Sequence, residues 1–264
     1  MRTEAFPWDG AALGLAPNRV PRVTPDFWLI KLMAVTMGET AADYLAVNLG
    51  LGLTATSALM ALVLVGALAL QFSRRRYVPW SYWLVVVLIS IVGTLITDNL
   101  VDNLGVSLVT CVAGFSLALA ATFLAWYRRE GTLSIHSIVT PRREAFYWLA
   151  ILFTFALGTA VGDLVAEKFG LGYLATGVLF GLVIGSLALG YLLLGLDAVL
   201  AFWLVYILTR PLGASFGDLL SQPVAYGGLG FGTVVTSLLF LGIIAATVVW
   251  MTLARRGDEL VPIA

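Results

Sequence analysis

Residues 27–43, FWLIKLMAVTMGETAAD, contain the pattern that decides the fold. An aromatic residue, Trp and Leu are followed by eight residues, Gly, four residues and Asp. The same spacing recurs three more times along the chain, beginning at Tyr82, Tyr147 and Phe202. Because a fixed internal period outranks other sequence signals, the pattern predicts one structural unit used four times.

The composition indicates a membrane protein. Hydrophobic residues make up 60% of the 264 residues and charged residues only 11%, whereas about a quarter of a typical soluble domain is charged. Eight apolar stretches are each close to the ~20 residues that cross a bilayer as a helix. They lack the strict alternation of transmembrane barrel strands. The stretches lie at 27–48, 53–72, 80–101, 106–127, 145–166, 171–194, 199–221 and 230–254.

Each repeat contributes two spans, so all four repeats are expected to enter the membrane in the same direction. We therefore predict an all-α, polytopic membrane protein of eight transmembrane helices, arranged as four parallel two-helix repeats. A pseudo-fourfold or two-plus-two packing of the odd-numbered helices is expected. The predicted organisation is a cytoplasmic tail at 1–26 and a single transmembrane domain at 27–256, with repeats at about 27–76, 80–129, 145–195 and 199–256.

Arginines set the predicted orientation. They lie before the first repeat, between repeats and at the C-terminus, whereas the turns within repeats carry a single Lys168. Because cytoplasmic loops accumulate Lys and Arg, both termini are expected in the cytoplasm. The first 25 residues lack the apolar core of a signal peptide and are interpreted as an uncleaved tail. The arginines concerned are Arg2, Arg19, Arg22, Arg74, Arg75, Arg76, Arg128, Arg129, Arg142, Arg143, Arg255 and Arg256.

The aromatic and glycine positions of the motif have structural interpretations. Trp beside a second aromatic residue favours the headgroup boundary, so an interfacial role is predicted for the four Trp. Each Gly is followed four residues later by a small residue, a spacing that allows close helix packing. The glycines predicted to form this packing face are Gly38, Gly93, Gly158 and Gly213.

The repeated Asp is the functional candidate, because an ionisable residue inside an apolar span is costly. Asp follows Trp by 15 residues, roughly 22 Å along a helix, which predicts a carboxylate layer in the outer half of the membrane. A Thr recurs at similar depth on each returning helix, either lining the same chamber or bonding to its own helix carbonyls. The predicted site residues are Asp43, Asp98, Asp163 and Asp218, with Thr56, Thr110, Thr176 and Thr236 as polar lining.

The copies diverge in their other charges. Glu39, Asp102 and Glu167 add acids to the first three repeats and are predicted to join the four aspartates as metal ligands, while Lys31 and Arg210 are candidate charge partners. Structural ion pairing explains part of this set, but the acids outnumber the bases. Pro211, next to Arg210, either kinks the seventh helix or frees carbonyls for a ligand.

The four tandem repeats, each with its characteristic Trp, resemble a family of bacterial inner-membrane proteins defined by the repeat called domain of unknown function 347. The resemblance covers the chain from Phe27 to Arg256. It implies an architecture of eight helices in a bacterial inner (plasma) membrane, and it implies no activity.

The residues favour a transporter or channel for a cation. Carboxylate, hydroxyl and carbonyl oxygens are ligands for hard divalent ions such as Mn²⁺, and protons can compete for crowded carboxylates. With only Cys111 and His136 as soft ligands, a zinc or copper site is not predicted.

Transport of a small organic solute and a non-transporting sensor or partner module stay open. An enzyme is not expected. The expected partners are the lipid bilayer, a divalent cation and protons, with no cofactor and no nucleic acid.

Overall fold

The computed structural model describes residues 18–258, with side chains to residue 253. Most of the predicted tail at 1–26, including Arg2, therefore lies outside the described residues, as do the side chains of Arg255 and Arg256. Residues 18–258 contain eight long α-helices and no strand, which confirms the predicted all-α class. They are α1 (Pro25–Asp43), α2 (Leu53–Phe72), α3 (Pro79–Asp98), α4 (Leu108–Glu130), α5 (Pro141–Asp163), α6 (Tyr173–Leu194), α7 (Ala198–Ser221) and α8 (Thr233–Asp258).

Seven of these helices are long and apolar enough to cross a membrane, namely all except α1. The exception carries Lys31, Glu39 and Asp43 within one span, and an isolated helix with three such charges would be costly in lipid. Its charges are tolerated because α1 packs inside the bundle, where Lys31 and Glu39 are buried by neighbouring helices.

The inner helices begin where the sequence provides caps. Thr24 and Thr140 accept hydrogen bonds from the first-turn amides of α1 and α5, and each is followed by a Pro at the first helical position. Threonine side chains satisfy free amides there, and proline is pre-set for the first turn. Gly52 and Gly172 precede α2 and α6 with φ values of 74° and 73°, a conformation that glycine adopts without strain.

The odd-numbered helices form a closed inner ring, in which α1 and α5 each pack against both α3 and α7. The even-numbered helices lie outside it. Thus α2 covers α3, α4 covers α5, α6 covers α7, and α8 returns to cover α1. Each repeat therefore places its outer helix on the inner helix of the next repeat, and the fourth closes on the first. This is the pseudo-fourfold arrangement.

The motif glycines lie at the contacts of the inner ring. A methyl group added to Gly93 would lie 2.7 Å from Phe155 Cβ, and one added to Gly213 would lie 2.6 Å from Val35 Cγ1. Gly38 meets the Ser90 side chain in the same way. In every case the partner lies three residues before the glycine of the next repeat. The small residue allows each inner helix to approach its neighbour.

The aromatic pairs of the motif close a second ring. Phe27 contacts Trp83 with ring centroids 5.6 Å apart, and the pattern continues from each repeat to the next. The remaining centroid distances are 5.3 Å for Tyr82 and Trp148, 6.2 Å for Tyr147 and Trp203, and 5.6 Å for Phe202 and Trp28. We call this end of the inner ring the Trp end, and the opposite end the Asp end.

The predicted interfacial role of the motif Trp residues is wrong for three of them. Trp83, Trp148 and Trp203 are only 1%, 3% and 4% exposed, while Trp28 is half-buried. Their rings seal the Trp end through contacts between repeats, because edge-to-face and tilted aromatic pairs stabilise a packed core. The spacing of Trp in the sequence does not distinguish a Trp side chain that faces the lipid headgroups from one that faces the next repeat.

A buried polar cluster fastens the N-terminal segment to the Trp end. Glu144 accepts hydrogen bonds from Arg19 at 2.7 Å and from Gln71 at 3.0 Å, and Gln71 accepts one from Ser81 at 2.5 Å. Glu144 is fully buried, so the Arg19 guanidinium compensates a charge that would otherwise be costly. The sequence alone does not reveal this cluster, because Glu144 directly follows the charges of a connecting loop.

Candidate functional site

The four motif aspartates lie at the Asp end of the inner helices. Asp43, Asp98 and Asp163 are the last residues of α1, α3 and α5, and each is followed by one turn of π-helix. Asp218 lies inside α7, which stays α-helical to Ser221. Wide π turns are rare and often mark functional positions. Three repeats therefore widen the inner helix directly after the carboxylate, and the fourth does not.

The carboxylates converge on one region. Glu39 lies within electrostatic range of all four motif aspartates, and Asp43 is in range of Asp98, Asp163 and Asp218. Burial is graded along the axis of the ring. Glu39 and Asp218 are 6% and 8% exposed, the other three aspartates are half-buried, and Asp102 and Glu167 are exposed at the rim. We call these seven carboxylates the acid layer.

The acid layer has few partners. Asp43 Oδ2 accepts a hydrogen bond of 3.2 Å from Gln222 Nε2. Among residues 18–253, no side-chain hydrogen bond or ion pair reaches Asp98, Asp163 or Asp218. Gln222 is the residue of the fourth repeat at the position of Asp102 and Glu167, so it joins the last repeat to the first.

The acid layer is not a ready-made metal centre. Nowhere in the described part of the chain do three or more His, Cys, Asp or Glu residues group closely enough to hold a metal ion directly. The carboxylates proposed as metal ligands from the sequence thus share one end of the ring without forming a direct coordination cage.

Arg210 lies below the acid layer and joins all four inner helices. Its guanidinium forms an ion pair of 2.7 Å with Glu39 of α1, donates a hydrogen bond to Thr94 of α3 and donates one of 2.7 Å to Thr159 of α5. It also donates to the Val35 carbonyl at 3.3 Å. The side chain is fully buried. One residue of α7 therefore closes the centre of the ring with charge-assisted hydrogen bonds.

The partners of Arg210 occupy one position of the repeat. Glu39, Thr94 and Thr159 each follow a motif glycine directly, and the fourth repeat has Ala214 there. This divergence is visible in the sequence, but its connection to Arg210 appears only in the assembled ring. Four-fold symmetry was the missing signal, since equivalent positions in a ring face a common centre.

The contacts of Lys31 differ from those predicted for a charge partner of a carboxylate. Its Nζ donates to the Tyr206 carbonyl at 3.0 Å and to Thr209 Oγ1, and it lies 3.9 Å from the centroid of the Tyr206 ring. No carboxylate pairs with it in the part of the chain whose side chains are described. Lys31 lies eight residues before Glu39, about 12 Å along the helix, and Arg210 already pairs with that acid.

Among residues 18–253, no side-chain hydrogen bond joins one of the recurring threonines to a motif aspartate. Thr236 bonds to the Gly232 carbonyl at 2.8 Å and Thr56 to the Leu45 carbonyl at 3.5 Å. Thr110 is exposed and contacts Ser107. Thr176 is buried, and its hydroxyl has no hydrogen-bond partner among the described side chains. Thr236 therefore bonds to a carbonyl one turn before it, Thr110 lies at the start of α4, and Thr56 bonds to a carbonyl of the π turn that precedes α2.

A cleft of about 460 Å³ opens beside the acid layer between the third and fourth repeats. Its lining includes Glu167, Tyr173, Gln222 and Tyr226. Glu167 accepts a hydrogen bond of 3.3 Å from the Tyr173 hydroxyl. The fourth repeat forms one side of the cleft because its turn, from Gln222 to Gly232, is longer than those of the other repeats.

The comparisons with known proteins bear on the repeat. Four stretches match the model of a family described as a repeat of unknown function (DUF347), at residues 27–77, 81–132, 146–195 and 201–257. The searches of curated proteins and of solved structures found no match. The matches cover most of the chain, and their number equals the number of inner helices in the ring. The resemblance predicted from the motif is thus confirmed, and the chain belongs to the family built from the repeat of unknown function DUF347.

Proposed function

We propose that the protein transports a cation across a membrane and that the acid layer is the site where the cation binds. One observation carries this proposal: seven carboxylates share the Asp end, with only Arg210 beneath them and the exposed Lys168 at the rim as cations among the described side chains. Acids without matching bases attract cations. Intramembrane carboxylates are expensive and typically mark ion pathways.

Because the described carboxylates form no direct cage, they favour a cation that keeps part of its water shell. Small hard divalent ions lose water reluctantly and are often held by one or two carboxylates while they retain several waters. Such an ion is attracted by a ring of acids that do not form a direct cage. Mn²⁺ remains the first candidate because the layer offers only oxygen ligands.

The Arg210 cluster and the aromatic ring at the Trp end support a transporter rather than an open pore. Arg210 and three of the four motif Trp are buried, whereas the aspartates of the first three repeats are half-buried, so the acid layer is the more accessible part of the ring. Movement of a cation past Arg210 requires the guanidinium to leave Glu39. Arg210 and Glu39 thus form the gate of the proposed path.

We assign the Trp end to the cytoplasmic side of a bacterial inner membrane, with both termini in the cytoplasm, because the arginine-rich connections lie there. Single cysteines in a Cys111→Ala background test this orientation. An impermeant maleimide is expected to label Val47→Cys and Leu104→Cys on intact cells, since both sites are exposed at the Asp end. His136→Cys is expected to react only after permeabilisation. Labelling of His136→Cys on intact cells would reverse the orientation.

Transport of a small organic cation is the second candidate, and the cleft beside Glu167 favours it. Two tyrosines and a carboxylate suit a substituted ammonium, since aromatic faces attract cations. Tetramethylammonium that inhibits Mn²⁺ flux competitively, or that is itself transported, would favour this candidate. A protein that moves neither ion fits a non-transporting sensor or partner module.

Neutralising the acid layer tests the proposal directly. The variant with Asn at all four motif aspartates keeps side-chain shape and removes charge, so Mn²⁺ flux into proteoliposomes is expected to fall to background. Among single variants, Asp218→Asn is expected to reduce flux most, because its repeat has Gln222 instead of a second acid. Asp197→Asn is the matched control: it lies at the Trp end and caps α7, and Asn caps as well as Asp. Parental flux in the quadruple variant would remove the proposed site.

A further inference from the structure

Lys31 is a fully buried ionisable group that the acid layer does not use. It lies one turn after Phe27 in α1, nearer the Trp end than the Asp end, and its Nζ makes hydrogen bonds only to uncharged oxygens, the Tyr206 carbonyl and Thr209 Oγ1. Phe155 and Tyr206 present their rings to it at 5.4 Å and 3.9 Å. An ammonium in such a place is costly, because no carboxylate compensates its charge.

The ionisable groups around Lys31 are few. From α7, Arg210 lies within electrostatic range and Tyr206 is in direct contact. On the Trp side of these, the phenols of Tyr82 (α3) and Tyr147 (α5) hydrogen-bond to each other at 2.5 Å. The outer helix α8 carries no ionisable side chain between Thr233 and Leu253. Lys31 is thus the one amine in a region of phenols, hydroxyls and one guanidinium.

We propose that Lys31 is a proton-binding site in the core of the protein and that its proton exchanges for the cation at the acid layer. The second half of this statement rests on the proposed transport function. The first half stands on the surroundings of the amine alone.

The hydrogen bonds of Lys31 fit both protonation states. A neutral amine has two N–H groups, which serve the Tyr206 carbonyl and Thr209 Oγ1, and a lone pair. When the lone pair accepts a proton, the third N–H adds a favourable contact with the Tyr206 ring, which lies within cation–π distance. Only one N–H bond forms on uptake and only that bond breaks on release. The proton comes from water on one side of the membrane and returns to water on the other.

Tyr206 adds a group suited to pass the proton on. Its hydroxyl is fully buried and has no hydrogen-bond partner among the described residues. Buried hydroxyls nearly always have a partner. A phenolic hydroxyl can both donate and accept a hydrogen bond, which passing a proton along requires.

Arg210 connects the proton site to the acid layer. It repels a protonated Lys31 on one side, and on the other it pairs with Glu39 and attracts Asp163. A proton on Lys31 therefore adds positive charge below the layer and weakens cation binding there. By linkage, a bound cation weakens proton binding at Lys31 to the same extent. Mutual exclusion of this kind produces exchange of a cation for a proton.

The lysine content of the chain makes the proton site directly observable. Lys31 and Lys168 are the only lysines, so protein labelled with ¹⁵N-lysine gives two side-chain signals in lipid nanodiscs. The variant Lys168→Arg assigns the signal that remains. The Lys31 signal is expected to change reversibly between its ammonium and amine forms within the physiological pH range. A signal that stays in the ammonium form over this whole range would overturn the proposal.

Proteoliposomes test the coupling, with Mn²⁺ as the probe. In the parent protein, an imposed pH gradient is expected to drive Mn²⁺ uptake. Lys31→Met keeps the length of the side chain and removes the ionisable group. It is expected to reduce this driven uptake about tenfold or more, while exchange of Mn²⁺ for Mn²⁺ across the membrane continues. Lys168→Met is the matched control and is expected to keep the response to the gradient.

The outcomes separate the two proposals. Gradient-driven uptake by Lys31→Met at the parental rate overturns the coupling role of Lys31 but leaves cation transport standing. If the parent moves no Mn²⁺ in either mode, transport of this ion fails, and the lysine signal still decides whether Lys31 binds a proton. If Lys31→Met does not fold, Lys31→Gln replaces it in the flux assay.

Discussion

Gly158→Ala is expected to lower the Tm of the purified protein by roughly 10 °C, from a loss of about 3 kcal/mol. The added methyl group would overlap Cβ and Cγ of Arg210 and lie 3.1 Å from Pro211 Cδ. Atoms this close to the backbone of α7 cannot rotate away, so the two helices must separate. Separation also pulls Arg210 away from Thr159 and Glu39, which adds to the cost.

Gly114→Ala is the matched control for this change. Gly114 is also inside a helix, but an added methyl group meets no described atom within 4 Å. Alanine has the higher helix propensity, by about 1 kcal/mol, so the Tm is expected to stay equal or rise slightly. Differential scanning fluorimetry in one detergent compares the two variants. Equal stability of Gly158→Ala and the parent would show that the inner ring is not tightly packed at the motif glycines.

Arg210→Met is expected to be the most destabilising single change in the ring, with a loss of about 3–5 kcal/mol. It leaves the Glu39 carboxylate buried without a counter-charge and removes the donor that Thr94 and Thr159 share. Glu39→Gln is expected to cost less, since the amide oxygen still accepts from the guanidinium.

A double-mutant cycle tests whether these residues act as one unit. The double variant Arg210→Met with Glu39→Gln is expected to be more stable than the sum of the single losses predicts, because no charge is left unpaired. Arg142→Gln serves as the control, since the side chain of Arg142 is 68% exposed and lies 3.7 Å from Glu130. Exposed pairs contribute about 0–1 kcal/mol. Additive losses for Arg210 and Glu39 would contradict a coupled central pair.

Much of the fold could be predicted from the motif, because a spacing that recurs four times constrains the structure at every copy. The motif predicted the all-α class, two helices per repeat and the family. All three are confirmed. The ring adds what a linear pattern does not contain, namely which residues of successive repeats meet. Gly93 faces Phe155 and Phe27 faces Trp83 only because the repeats close around an axis.

The site was harder to predict than the fold. The motif marked the four aspartates, but the environment of the other charges depends on direction around each helix. The sequence predicted both Lys31 and Arg210 as partners for carboxylates. Only Arg210 lies level with Glu39, whereas Lys31 lies about two turns away along α1. The Glu144 cluster carries no repeat signal, and the repeat position of Gln222 does not show that it meets Asp43, so only the assembled ring identifies these contacts.

The most direct test of the cation site is a crystal structure of the full chain grown with Mn²⁺, with anomalous scattering measured at the manganese edge. The proposal predicts a peak inside the acid layer, among Asp43, Asp98, Asp163 and Asp218. At least one carboxylate oxygen is expected within the about 2.0–2.6 Å typical of hard cations. A well-ordered acid layer with no peak, or a peak held only by residues outside it, would contradict the proposed function.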